Sequence, residues 1–130
     1  MGKVQELEEL EVYQMAVALA DRIWDIVGSW SYFARDTVGK QMVRAADSVA
    51  ANIAESYGRY HYGEKINFLY YARASLYETR HWVNRSRRRE LMDATISGDL
   101  MSHMCILAPK LNAYMNSKKR QRRRRRSPVT

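Results

Sequence analysis

Proline and glycine are scarce in this 130-residue chain: Pro109 and Pro128 are the only prolines, and there are six glycines. A protein of many short strands needs more turn residues than that, whereas the abundant Ala, Leu, Met, Arg and Glu favour long helices. Cys105 is the single cysteine, which excludes an intrachain disulfide and any metal site built on paired cysteines and fits a reducing, cytoplasmic setting. No window approaches the roughly eighteen apolar residues of a membrane span, so no membrane partner is expected. Residues 1–10 carry Glu6, Glu8 and Glu9 without an apolar run, unlike a signal or transit peptide. Phosphate-binding loops of the Gly-x-x-x-x-Gly-Lys and Gly-x-Gly-x-x-Gly types are missing, as is a nucleophile elbow. His61, His81 and His103 are scattered, and no Glu-x-x-His pair of a di-metal bundle occurs. The expectation is a protein without catalytic residues, metal or cofactor.

What is present is charge, unevenly placed. Lys118, Lys119, Arg120, Arg122, Arg123, Arg124, Arg125 and Arg126 put eight cations and no acid into residues 118–126. Setting those eight aside leaves 14 of the 22 Lys and Arg against 14 Asp and Glu, so the whole net charge of +8 belongs to the C-terminal tail.

Elsewhere the apolar residues recur at helical spacing. Leu10, Tyr13, Val17, Ala20, Trp24 and Val27 form one stripe, with Ala16, Leu19, Ile23, Ile26 and Trp30 beside it, a face wide enough to touch more than one neighbour. After a break over residues 28–33, a second helix carries Val38, Met42, Ala45, Val49 and Asn52 with Val43, Ala46, Ala50 and Ile53, its small residues allowing close approach, and stops near Gly58. A third, over residues 62–84, turns Ile66, Leu69, Ala72, Leu76 and Val83 inward; an irregular basic stretch follows over residues 85–89. The fourth starts near Asp93 as N-cap, buries Leu100, Met104, Leu107, Leu111 and Tyr114, and should bend at Pro109 so that its second half diverges. Residues 117–130 lose all periodicity and are expected to be disordered by self-repulsion. The resulting architecture is an all-α, antiparallel up-down four-helix bundle over residues 1–116 with an arginine-rich tail.

Clustered arginines neutralise phosphates and release counterions, so the tail is the first candidate for RNA, or DNA, binding; about six neutralised phosphates correspond to a salt slope of roughly −4 to −5. The alternative is a solubilising tail. Arg80, Arg85, Arg87, Arg88 and Arg89 make a second basic cluster, which either complements the dipole at the end of the third helix or, with Tyr77, His81 and Trp82, binds single-stranded RNA. Trp82 and Tyr70, Tyr71 and Tyr77 have a second reading as core or interface anchors. Asn52, Glu55, Ser75 and Glu78 fall on facing helices and are expected to form a buried polar network that sets helix register. Cys105, among apolar neighbours, reads as a small buried hydrophobe.

The segment from Ser48 through Asn52, Glu55 and Gly58 to Arg59 resembles the signature of the four-helix-bundle family known from intervening sequences of large-subunit rRNA genes. Residues 10–16, the arginine-bearing residues 41–46, and Phe68, Leu69, Ala72, Ser75, Leu76 and Glu78 extend the likeness to about residues 7–116. Ala50 stands where that family commonly has proline, and Ser56 where it has glycine. The family includes Avd, the accessory variability determinant of diversity-generating retroelements, and the resemblance implies a ring-shaped homo-oligomer, a pentamer, that binds RNA and a reverse transcriptase. The arginine-rich end favours that branch over an rRNA-intervening-sequence scaffold without a polymerase partner.

Overall fold

In the computed structural model, residues 5–126 are described. A short 3₁₀ turn, Leu7–Glu9, leads into α1 (Glu11–Gly28), whose fully buried Ala16, Leu19 and Ile23 mark the centre of its core face. Both apolar stripes contribute to that face, but Trp24 does not. It lies about 100° round the helix from Ile23, at 3.6 residues per turn, and is 64% exposed.

The chain then turns through α2 (Tyr32–Ala34) and a single π-helical turn, Arg35–Gly39, directly into α3 (Lys40–Gly58). Gly39, the last residue of that turn, lies tight against Val27 of α1. A Cβ there would sit 2.6 Å from Val27 Cγ1 and 3.1 Å from the Ala34 carbonyl oxygen, so only glycine fits without displacement. Along α3 the small residues Ala45, Ala46 and Ala50 are buried with Met42, Val49 and Ile53, as their spacing predicts.

After Gly58 three residues reverse the chain into α4 (Tyr62–Arg88), and five more into α5 (Ala94–Arg126). The inward row of α4, from Ile66 to Val83, is buried as expected. Residues 85–89 are not irregular: Arg85, Arg87 and Arg88 belong to the last turn of α4. The Glu90 amide donates to the Arg87 carbonyl (3.1 Å) and the Leu91 amide to the Ser86 carbonyl (2.9 Å), a Schellman ending with Glu90 in the left-handed region at φ 61°. Asp93 caps α5 as predicted, its Oδ1 accepting from the Ile96 amide at 2.8 Å.

Two expectations for α5 are corrected. The half beyond Pro109 does not leave the bundle, because Leu111 and Met115 remain in the core. Nor is the tail disordered as far as Arg126: the helix runs through it, while residues 127–130 lie outside the described residues. Arg and Lys are good helix formers, and cations at a helix C-terminus are favoured by the dipole.

Each of the four long helices packs on two others, α1 on α3 and α5, and α4 on α3 and α5, with no strand among the described residues. The Lys110–Glu11 ion pair (2.7 Å) marks where α1 begins beside α5. From there to Arg126, about 24 Å, α5 outruns α1 and keeps α4 as a neighbour. Residues 5–10 run over the end of α3, where the Tyr57 hydroxyl donates to the Gln5 carbonyl.

Candidate nucleic-acid interface

The C-terminal arm of α5 lies antiparallel to the first half of α4, and the two are joined by cations seated on tyrosine rings. Lys119 Nζ is 4.9 Å from the centre of the Tyr70 ring and Arg125 Cζ 5.8 Å from that of Tyr62, while within α5 itself Lys118 Nζ is 4.9 Å from the centre of the Tyr114 ring. Arg73 approaches the Tyr70 ring as well, at 5.2 Å, and its Nη1 donates to Asn112 Oδ1 at 3.5 Å. Each such contact contributes about 0.5–1 kcal/mol at an exposed site. Together they offset the like-charge repulsion along the arm, where i,i+4 pairs such as Lys118 with Arg122 cost about 0.2–0.5 kcal/mol each.

The electrostatics register this crowding of cations. The Tyr70 hydroxyl is shifted down, first by its hydrogen bond to Lys119 and then by the charges of Lys119, Arg73 and Arg122. Lys65, whose ammonium donates to the Ser56 and Tyr57 carbonyls at the end of α3 (3.3 and 3.1 Å), is lowered by burial and by Lys118. Burial also lowers Lys118 itself. Burial, and then Tyr57, raises Tyr114.

Around this seam lie residues that the sequence did not mark as part of a binding surface. Arg59 sits 4.8 Å over the Phe68 ring while pairing with Glu55 and Glu64, and Phe68 meets Tyr71 edge-on. Tyr60 and Tyr71 are 74% and 55% exposed, leaving ring faces open to a ligand. A signal for part of this was present in the order Tyr70 then Arg73, an aromatic and a cation three residues apart on one helical face.

The two basic clusters picked from the sequence are not brought together. Arg80, Arg85, Arg87, Arg88 and Arg89 sit at the far end of α4, and Tyr62 to Arg88 spans about 39 Å at helical rise. There Tyr77 is exposed, whereas Trp82 packs on the core, with its Nε1 donating to Glu78 Oε2 at 3.2 Å; Trp82 is therefore an anchor.

The expected polar network of Asn52, Glu55, Ser75 and Glu78 does not form. Asn52 donates to the Ser48 carbonyl of its own helix, Glu55 pairs with Arg59, Glu78 holds Trp82, and Ser75 offers its carbonyl to Thr79. Two of the buried polar residues, Ser56 and Thr79, are instead the chain neighbours of Glu55 and Glu78. Ser56 Oγ donates to the Lys65 carbonyl at 2.8 Å, tying α3 to α4, and Thr79 is wholly buried. A one-residue step on a helix is a 100° rotation, enough to exchange core for surface. Cys105 is likewise corrected: it is exposed, at the rim of a slot of about 210 Å³ floored by Leu76, Met101 and Met104.

Among the described residues no group of three or more His, Cys, Asp or Glu side chains could hold a metal ion, and no helix is long and apolar enough to cross a membrane.

Comparison with known proteins places this geometry in context. No curated protein matches the chain. A solved structure of a protein of unknown function from the S23 ribosomal protein family of Bacteroides thetaiotaomicron VPI-5482 shares the fold at TM-score 0.72 and 21% identity, covering 80% of this chain and 97% of that one. The family model of the 23S rRNA-intervening sequence protein matches residues 8–113. The matched residues reach into all four long helices and stop before the basic arm. This chain belongs to the 23S rRNA-intervening sequence protein family.

Proposed function

We propose that this protein is a non-enzymatic accessory factor that binds single-stranded RNA along the α4–α5 seam. The observation that carries the reading is the arm itself. Lys118, Lys119, Arg120 and Arg122 through Arg126 continue helix α5, and Tyr70 and Tyr62 of α4 hold two of these cations, Lys119 and Arg125. A guanidinium lying on a ring keeps its N–H edge available for phosphate, while the open faces of Tyr60 and Tyr71 suit unstacked bases. Duplex bases are stacked on one another and cannot use those faces, which is why a single strand is preferred.

In this reading the chain works as Avd does in diversity-generating retroelements, with a reverse transcriptase as its protein partner, an assignment carried by the resemblance to Avd. Self-association into a ring accompanies it and is supported by the large exposed side chains of Tyr32 (73%) and Phe33 (78%) at the α1–α3 turn. Fluorescence anisotropy with a labelled single-stranded RNA and a matched DNA duplex tests the binding. Tighter, salt-sensitive binding of the single strand is expected, and equal or absent binding of both would refute it. Light scattering of the full chain tests the ring, which a monomer of 15.2 kDa would exclude.

A further inference from the structure

At the end of the bundle opposite the arm, a groove of about 450 Å³ runs between the last turns of α1 and the start of α3. Its floor is apolar, formed by Val27 and Val43. One wall carries Arg35, Lys40 and Arg44; the other carries Trp24. Lys40 and Arg44 are one turn apart, about 6 Å along α3, and Arg35 precedes them in the π-helical turn.

These three cations share one groove and none of them forms an ion pair with a carboxylate. Among the described residues the ion pairs involve Arg22, Arg59 and Lys110, and none involves Arg35, Lys40 or Arg44. No carboxylate lines the groove, although Asp36 borders the adjoining depression beside Tyr32. Farther along the same α1–α3 face Asp21 and Asp47 oppose each other. Three cations without an ion pair thus line a groove that no carboxylate lines, which suits an anionic occupant.

Trp24 supplies the second half of the chemistry. An indole that is 64% exposed, on a helix whose core face is otherwise filled, leaves a large flat apolar surface in water. Such a ring beside convergent cations suits a ligand that is aromatic at one end and multiply anionic at the other, and the groove's volume falls within the range for small-molecule sites.

We propose that this groove binds a nucleoside phosphate, as a free nucleotide or as one nucleotide of an RNA strand, with its base on Trp24 and its phosphate among Arg35, Lys40 and Arg44. The site is separate from the arm and does not depend on it.

Intrinsic tryptophan fluorescence of the full chain, titrated with adenosine 5′-monophosphate, oligoadenylate and inorganic phosphate in parallel, tests it. Saturable quenching by the mononucleotide, or by the oligonucleotide where RNA is the source, is expected, with no quenching by phosphate alone. Lys40→Ala and Arg44→Ala should each weaken that affinity by roughly tenfold, the loss of one charge-assisted contact. Trp24→Phe should abolish the quench while calorimetry still detects binding. All three replaced side chains are exposed, so these variants should fold, which circular dichroism checks. Replacing Arg122, Arg124, Arg125 and Arg126 with glutamine should leave the quench intact, which separates this site from the arm. Absence of saturable quenching by either nucleotide ligand, or quenching unchanged in Lys40→Ala and Arg44→Ala, would overturn the proposal.

Discussion

Neutralising the arm should change how RNA affinity responds to salt, and the helix sets the size of the effect. Eight cations in nine positions would, on a flexible tail, all be able to reach one phosphate chain. On a helix, successive residues are 100° apart, so Arg122 to Arg126 point all round the axis. Lys118 and Lys119 hold their ammonium groups on tyrosine rings, Tyr114 of α5 itself and Tyr70 of α4. A single strand following the seam therefore neutralises about four phosphates, fewer than a count of charges implies. At about 0.7 per phosphate for a single strand, the slope of log affinity against log salt is roughly −3, and raising salt fourfold weakens binding about 60-fold. Replacing Arg120, Arg122, Arg124 and Arg126 with glutamine, which keeps helix propensity, should bring the slope close to zero. The assay is anisotropy of a short labelled oligoribonucleotide across a salt series, for wild type and for this variant. A parallel variant with Arg85, Arg87, Arg88 and Arg89 neutralised should keep the wild-type slope, because those residues lie at the other end of α4. An unchanged slope in the arm variant, or its loss in the second variant instead, would refute the assignment of phosphate contacts to the arm.

Further expectations concern stability and order. Gly39→Ala should destabilise the protein by about 1–2 kcal/mol in denaturant unfolding: overpacking against Val27 costs about 1–3 kcal/mol and exceeds the gain in helix propensity, and Val27→Ala should restore part of the loss. Glu90→Gly should stabilise by roughly 0.5–1 kcal/mol, since the left-handed conformation at φ 61° costs a non-glycine residue about 1–2 kcal/mol, partly offset by the freer unfolded chain. Asp47 is raised above its ordinary value by burial and by Asp21, so its folded form binds a proton more readily than its unfolded form. That destabilising contribution is absent in acid and grows as pH rises through 3.8 and the raised folded value, so Asp47→Asn should stabilise slightly at pH 7 and lose its advantage near pH 3. Replacing Tyr62 and Tyr70 together with alanine should speed amide hydrogen exchange in the arm relative to α3; unchanged protection would show that the ring contacts do not hold it.

The elements themselves were readable from residue spacing. Ala16, Leu19 and Ile23, the alanines of α3 and the inward row of α4 follow a 3.6-residue period that burial imposes on any amphipathic helix, and Asp93 is a local cap whose hydrogen bond needs no tertiary partner. The likeness to the rRNA-intervening-sequence family rested on local segments of the same kind.

Other features depended on neighbours distant in sequence. Periodicity locates a helical face only to within a residue or so, and one residue is 100°; that step separates buried Ser56 and Thr79 from exposed Glu55 and Glu78, and core Ile23 from exposed Trp24. The order of the arm followed the same logic. Charge repulsion is a property of the segment alone and argues for disorder, but the rings that hold Lys119 and Arg125 are supplied by Tyr70 and Tyr62, more than forty residues earlier. Composition and spacing determined an all-helical chain with a basic end. Only the antiparallel packing of α4 against α5 decided that this end is a helix on an aromatic seam, because cation–π contacts and close approaches such as Gly39 on Val27 exist only once the helices are side by side.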